Sequence, residues 1–154
     1  MADVVTPQVR SRMMAGIRGK NTRPEVSVRL AVFERGLRYR IHDAKLPGKP
    51  DLVFAKHRAA VFIHGCFWHG HQCVLFKWPK TNAVFWRKKI LGNRRTDRRA
   101  RAALDRLGWR SLVVWECALK GPSRRPLSDV VDGTVNWVAC GRRNAEIAPA
   151  PRSR

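Results

Sequence analysis

Apolar and polar positions change period several times along the chain, and each change marks an element. Met13, Met14 and Ile17 recur among arginines after Thr6-Pro7, which predicts a short helix over residues 6–18. Thr22-Arg23-Pro24-Glu25 reads as a capping box with proline in the first turn. Val26, Leu30 and Phe33 then follow at helical spacing until Gly36 stops the run. From Leu37 the period shortens to two: Leu37, Tyr39 and Ile41 alternate with basic residues, as in a strand with one solvated face. Pro47-Gly48-Lys49-Pro50 makes a turn into Asp51–Ala55, a second strand, and Ala59–Ile63 is an apolar run of central-strand type.

Thr81-Asn82 can cap a long helix that runs to Leu107 and stops at Gly108. Trp109–Trp115 reads as a further strand, and Val131, Val135 and Val138 place a last helix over Ser128–Cys140. This order predicts an α/β fold, a central mixed β-sheet flanked by helices. Trp109, Trp115 and Trp137 are assigned to its core. Residues 1–140 form one domain, and residues 141–154, polar, basic and proline-containing, are expected to be a disordered tail.

Charge narrows the partner. The chain carries 32 lysines and arginines against 11 acidic residues, a formal net charge of +21, which suits a polyanion. Arginines crowd the long helix between Arg87 and Arg101, as a phosphate-binding stripe or as one solvated face. No apolar run approaches the roughly 20 residues that span a bilayer, so a membrane role is not expected. The first residues lack a charged region followed by an apolar core, so no secretory signal is expected and the protein is placed in the cytoplasm. There the four cysteines would be metal ligands or reduced core residues, not disulfides.

The densest chemistry lies between Asp51 and Cys73. Cys66, His71 and Cys73 are three soft donors on one loop, suited to tetrahedral zinc. Cys117, at the end of a strand that could lie beside the Ala59–Ile63 strand, completes the set better than Cys140. The alternative is two buried cysteines and two surface histidines. A closed four-ligand site would be structural. Asp51 heads one strand, and His64 and His69 lie just past the end of its neighbour, so a carboxylate for a hard cation and a base for water could meet across a hairpin. Taken alone, Asp51 is equally a turn residue and His64 an edge histidine.

Four segments together, Pro47-Gly48-Lys49-Pro50-Asp51, His64-Gly65-Cys66-Phe67-Trp68-His69, Phe85-Trp86 and Val114-Trp115-Glu116-Cys117, resemble the very short patch repair (Vsr) endonuclease family, with a likeness running from about Val9 to Cys140. The resemblance implies a restriction-endonuclease-like fold, a structural Zn2+ on Cys66, His71, Cys73 and Cys117, and catalytic Mg2+, two ions, on Asp51 and the backbone carbonyl of Ile63. It makes His69 the general base, His64 a second imzidazole at the scissile phosphate, Asp97 the acid that orients the histidine pair, and Glu25 a further acidic residue there. Phe67, Trp68 and Trp86 would form a wedge inserted into DNA, with Met14 approaching from the other groove on the helix over 6–18. The implied activity is a nick 5′ of the T in a T:G mismatch left by deamination of 5-methylcytosine.

Ile63 stands where the family usually carries threonine, but a carbonyl contact survives that change. Gly70 stands where a relative has another histidine, outside the matched ligands. Histidine chemistry in place of the superfamily's usual lysine predicts activity that falls as imidazoles protonate. The expected partner is double-stranded DNA with a T:G mismatch, bound by a monomer, with general mismatch-repair proteins as candidate partners. The competing readings are a related nuclease without mismatch preference and a non-catalytic, zinc-stabilised DNA-binding module.

Overall fold

The computed structural model describes residues 22–149. The helix expected over 6–18, with Met14, lies outside the described residues. Within them the chain forms α1 (Arg23–Glu34), β1 (Arg40–Ile41), β2 (Leu52–Phe54), β3 (Ala59–His64), α2 (Ala83–Arg106), β4 (Arg110–Trp115), α3 (Leu127–Cys140) and β5 (Ala145–Ile147). The strands join in chain order into one mixed five-stranded sheet. β1, β2 and β3 pair antiparallel, whereas β3–β4 and β4–β5 are parallel. Parallel neighbours need crossovers, and α2 and α3 supply them.

Alternation along the strands sends side chains to two cores. Val28 and Val32 of α1 and Val130, Val131 and Val138 of α3 cover Leu52, Phe54, Val61, Leu112 and Val114 on one face. On the other, Leu104 of α2 packs with Ala60, Phe62, Val113 and Trp115, together with Cys66 and Cys117. β3 and β4 run in register to the pair His64↔Trp115, so both central strands end at the same edge. Ligand sites of open α/β sheets gather beyond such carboxyl ends.

Several sequence expectations are corrected here. The apolar stripe Val26-Leu30-Phe33 is not the buried face of α1: Leu30 and Phe33 are exposed, while Glu25, Val28 and Val32 are buried. Thr22 does cap the helix, accepting from the Glu25 N–H at 3.4 Å, but the Glu25 side chain turns to other partners instead of closing the box. β1 is reduced to two residues, because Leu37 and Tyr39 pack on the core before pairing begins and the Tyr39 hydroxyl donates to the Arg29 carbonyl at 2.6 Å. Asn82 occupies the N-cap of α2 in a left-handed conformation with no side-chain cap bond.

The expected disordered tail beyond residue 140 is ordered in part. β5 pairs with β4 through Leu112↔Ala145 to Val114↔Ile147. Asn144 fastens its start, accepting from the Ser111 N–H and donating to Asp105, each at 2.8 Å. The Trp137 indole N–H donates to the Arg143 carbonyl at the same distance. Short, half-polar Ala145-Glu146-Ile147 has little strand signature of its own; its partners are supplied from elsewhere in the chain.

Candidate active site

Beyond the β3–β4 edge, the loop from Gly65 to Cys73 lies along one face of α2. Trp86, Ile90, Asn93 and Asp97 recur on that face at helical spacing. Each meets the loop. Trp86 packs against Phe67 and Trp68, with ring centroids 5.3 and 5.7 Å away. Asn93 donates to the Trp68 carbonyl at 2.9 Å, and Asp97 binds His69 Nδ1 at 2.5 Å. Ile90 sits under Gly70, whose φ is +60° and where a Cβ would come within 2.7 Å of the isoleucine Cγ2. Gly70 therefore permits the close approach that a larger residue would block.

His64 and His69 stack, with centroids 3.8 Å apart and planes 5° from parallel. Burial, and then the charge of His69, lower the His64 pKa from 6.5 to about 3, so His64 stays neutral. Of the stacked pair, His69 is the ring with a carboxylate partner, Asp97. With Nδ1 turned to Asp97, the other ring nitrogen of His69 is the one available to substrate. Together with Ile63, Lys89, Asn93 and Glu116, the two imidazoles line a cleft of about 530 Å3.

Asp51 belongs to a neighbouring cluster. The hairpin of β2 and β3 does not join it to His64 and His69 in one group, as the sequence had suggested; it lies with Glu25 and His42, their ligand atoms all within 4.8 Å of one another. Asp51 Oδ2 accepts from the Ile63 N–H at 2.7 Å, which ties the carboxylate to the strand lining the cleft. Glu25 Oε2 lies 2.7 Å from both Arg29 and His42 Nε2. Burial, with Glu25 adding to it against the Ile63 N–H and Arg29, raises the Asp51 carboxyl to about 7. A buried carboxylate (Glu25) and a half-buried one (Asp51) this close suit a hard cation that would relieve their repulsion.

Cys66, His71, Cys73 and Cys117 form the third group, again within 4.8 Å. His71 Nδ1 lies 3.7 Å from Cys66 Sγ and 3.4 Å from Cys117 Sγ. Burial and the neighbouring thiols push Cys66 up, and burial raises Cys117 to about 11. Thiols so crowded need a cation to be held as thiolates, and three sulfurs with one imidazole are a donor set for tetrahedral zinc. Cys140 is exposed at the end of α3 and outside the group.

The chain matches the family described as DNA mismatch endonuclease Vsr over residues 2–75. It is 43% identical over 141 residues to the DNA mismatch endonuclease Vsr of Escherichia coli (strain K12), covering 92% of this chain and 90% of the relative. The chain belongs to the Vsr family. A type II nicking enzyme of Xanthomonas oryzae pv. oryzae is 44% identical over 134 residues, 86% of this chain and 98% of that enzyme. One from Neisseria meningitidis serogroup A is 46% identical over 120 residues, 78% and 86% of the two chains.

Sequence reasoning missed two residues of this Vsr family member. His42 enters the carboxylate group from the end of β1, with no motif around it. Trp115, assigned to the core, is indeed buried, but it also walls the site: its ring stacks on His71 at 4.0 Å and meets His64 edge-on at 5.4 Å. The strand pattern showed that Trp115 was buried, not what it was buried against. Arg101, counted in the basic stripe, is turned inward to Ser111 and Glu146. Among the described residues no helix is long and apolar enough to cross a membrane.

Proposed function

We propose that this Vsr family member nicks the T strand of a T:G mismatch in duplex DNA, 5′ of the T, leaving a 5′-phosphate for short-patch resynthesis, and that it acts as a monomer. The observation that carries the reading is the shared loop: the aromatic trio Phe67, Trp68 and Trp86 and the His69–Asp97 pair lie along one face of α2. A wobble pair stacks poorly, so side chains inserted beside it cost less than at a matched step, and the duplex should kink there. Met14 would complete the wedge from the opposite groove.

Asp51, the Ile63 carbonyl and Glu25 would hold Mg2+, two ions in our reading, which when bound neutralises charge at the scissile phosphate. His69 takes the proton of the attacking water, and Asp97 fixes its tautomer and offsets the charge that develops. His64, neutral and stacked, holds the His69 ring in its plane without competing for that proton. Cys66, His71, Cys73 and Cys117 would hold Zn2+ with all four positions filled by protein, a structural role that leaves no place for water. Arginines and lysines of α2 supply phosphate contacts, so binding should weaken steeply with salt.

Incubation with a T:G duplex, its T:A control and Mg2+ tests this. Selective nicking of the mismatched T strand is expected. Equal nicking of both duplexes would favour a nuclease without mismatch preference, and tight binding without nicking a DNA-binding module. Asp51→Asn should abolish nicking and leave mismatch binding largely intact; loss of both would refute the role given to Asp51.

A further inference from the structure

His42 has no task in the reaction above, yet its position is closely determined. Its backbone is in the left-handed region at φ +48°, which costs a non-glycine residue free energy and persists only where the surroundings enforce it. The backbone N–H donates to the Asp51 carbonyl at 3.2 Å. The half-buried ring then directs Nε2 between two carboxylates, 2.7 Å from Glu25 Oε2 and 3.9 Å from Asp51 Oδ1. Asp51 Oδ2 is engaged by the Ile63 N–H, so Oδ1 is the oxygen on the His42 side. Ligand atoms about 2.1 Å from a shared ion lie about 3–4 Å from each other, and these donors, all within 4.8 Å, meet that need with small side-chain movements.

We infer that His42 is a third side-chain ligand, joining Asp51 and Glu25 and the Ile63 carbonyl, of the catalytic cation, and that this centre favours first-row ions such as Mn2+ over Mg2+. The inference rests on the proposed metal centre at Asp51. Mg2+ is a hard ion that keeps to oxygen, whereas Mn2+ accepts imidazole nitrogen as well as carboxylate, so a nitrogen donor shifts the balance between them. The ring would bind through the Nε2 lone pair in its Nδ1–H tautomer, and Glu25, released from His42, keeps its Arg29 partner.

The test is Mn2+ binding to the full chain, loaded with zinc and free of DNA, followed by electron paramagnetic resonance with Mg2+ as competitor. Mn2+ that is lost in Asp51→Asn and that shows coupling to an imidazole 14N is expected. His42→Gln, which can still hydrogen-bond to Glu25, should remove that coupling and weaken Mn2+ binding on the order of tenfold while barely changing Mg2+ binding. Coupling that persists in His42→Gln would show that the nitrogen belongs to another histidine, and absence of coupling in the unsubstituted chain would overturn the inference without any variant. Unchanged Mn2+ affinity in His42→Gln would reduce His42 to a clamp on Glu25. Mn2+ binding indifferent to Asp51→Asn would instead refute the centre itself.

Discussion

Replacing His64 by glutamine should make the protein more tolerant of acid. His64 is buried and its pKa is lowered from 6.5 to about 3, chiefly by burial, then by His69 and Arg101 against the opposing pull of Asp97. The unfolded chain therefore binds a proton below about pH 6.5 that the folded one refuses, and stability falls as pH drops through that window. At about pH 5 the linkage relation makes this single group's cost about 2 kcal/mol relative to about pH 7.5. Asp51 acts in the opposite sense: with a carboxyl raised to about 7 from 3.8, the folded state binds the extra proton, and that contribution grows as pH falls toward 5. Both proteins share Asp51 and the thiol cluster, so comparing them isolates His64. Denaturant unfolding of each, without added Mg2+, should show the unsubstituted chain losing about 2 kcal/mol more than His64→Gln between the two pH values. Equal losses would mean that His64 is not held neutral and that the stacked pair does not divide its roles as argued.

Three further outcomes follow from the same geometry. Asp97→Asn should slow nicking on the order of 100-fold while T:G binding, read by electrophoretic shift, stays unchanged, because it removes the partner of His69 and nothing in the wedge. Trp86→Ala should cut the binding preference for T:G over T:A by about 1–2 kcal/mol, with less effect on affinity for matched duplex. Cys117→Ala should lower zinc content and melting temperature together, and Cys140→Ala should do neither, since only the former lies among the crowded donors.

Motifs and hydrophobic period carried most of the architecture into view: both long helices, the two central strands and the four soft donors are where residue patterns place them. What stayed hidden depended on partners distant in sequence. Glu25 looks like a surface cap residue, and is buried because Arg29 and His42 accompany it, so the inward face of α1 could not be found from hydrophobicity alone. Ala145–Ile147 becomes a strand through β4, not through its own composition. His42 carries no spacing signal, since a turn and a hairpin bring it to Asp51. An unusual φ at a histidine leaves no trace in the sequence.

The face of α2 that carries Trp86, Ile90, Asn93 and Asp97 works as a ruler. Eleven residues separate Trp86 from Asp97, which in an α-helix is very nearly three whole turns and roughly 16 Å. Trp86, the proposed wedge residue, and Asp97, the partner of His69, are thus mounted on one rigid rod, at a fixed distance and almost the same azimuth. If the proposed roles hold, where the duplex is wedged open and where the water attacks would be one measurement, and the offset between mismatch and nick would be set by helix geometry with no flexible linker needed to keep it constant. Inserting a single residue between Ile90 and Asn93 would rotate Asp97 by about 100° relative to Trp86, so the wedge residue and the partner of His69 could no longer both face the loop.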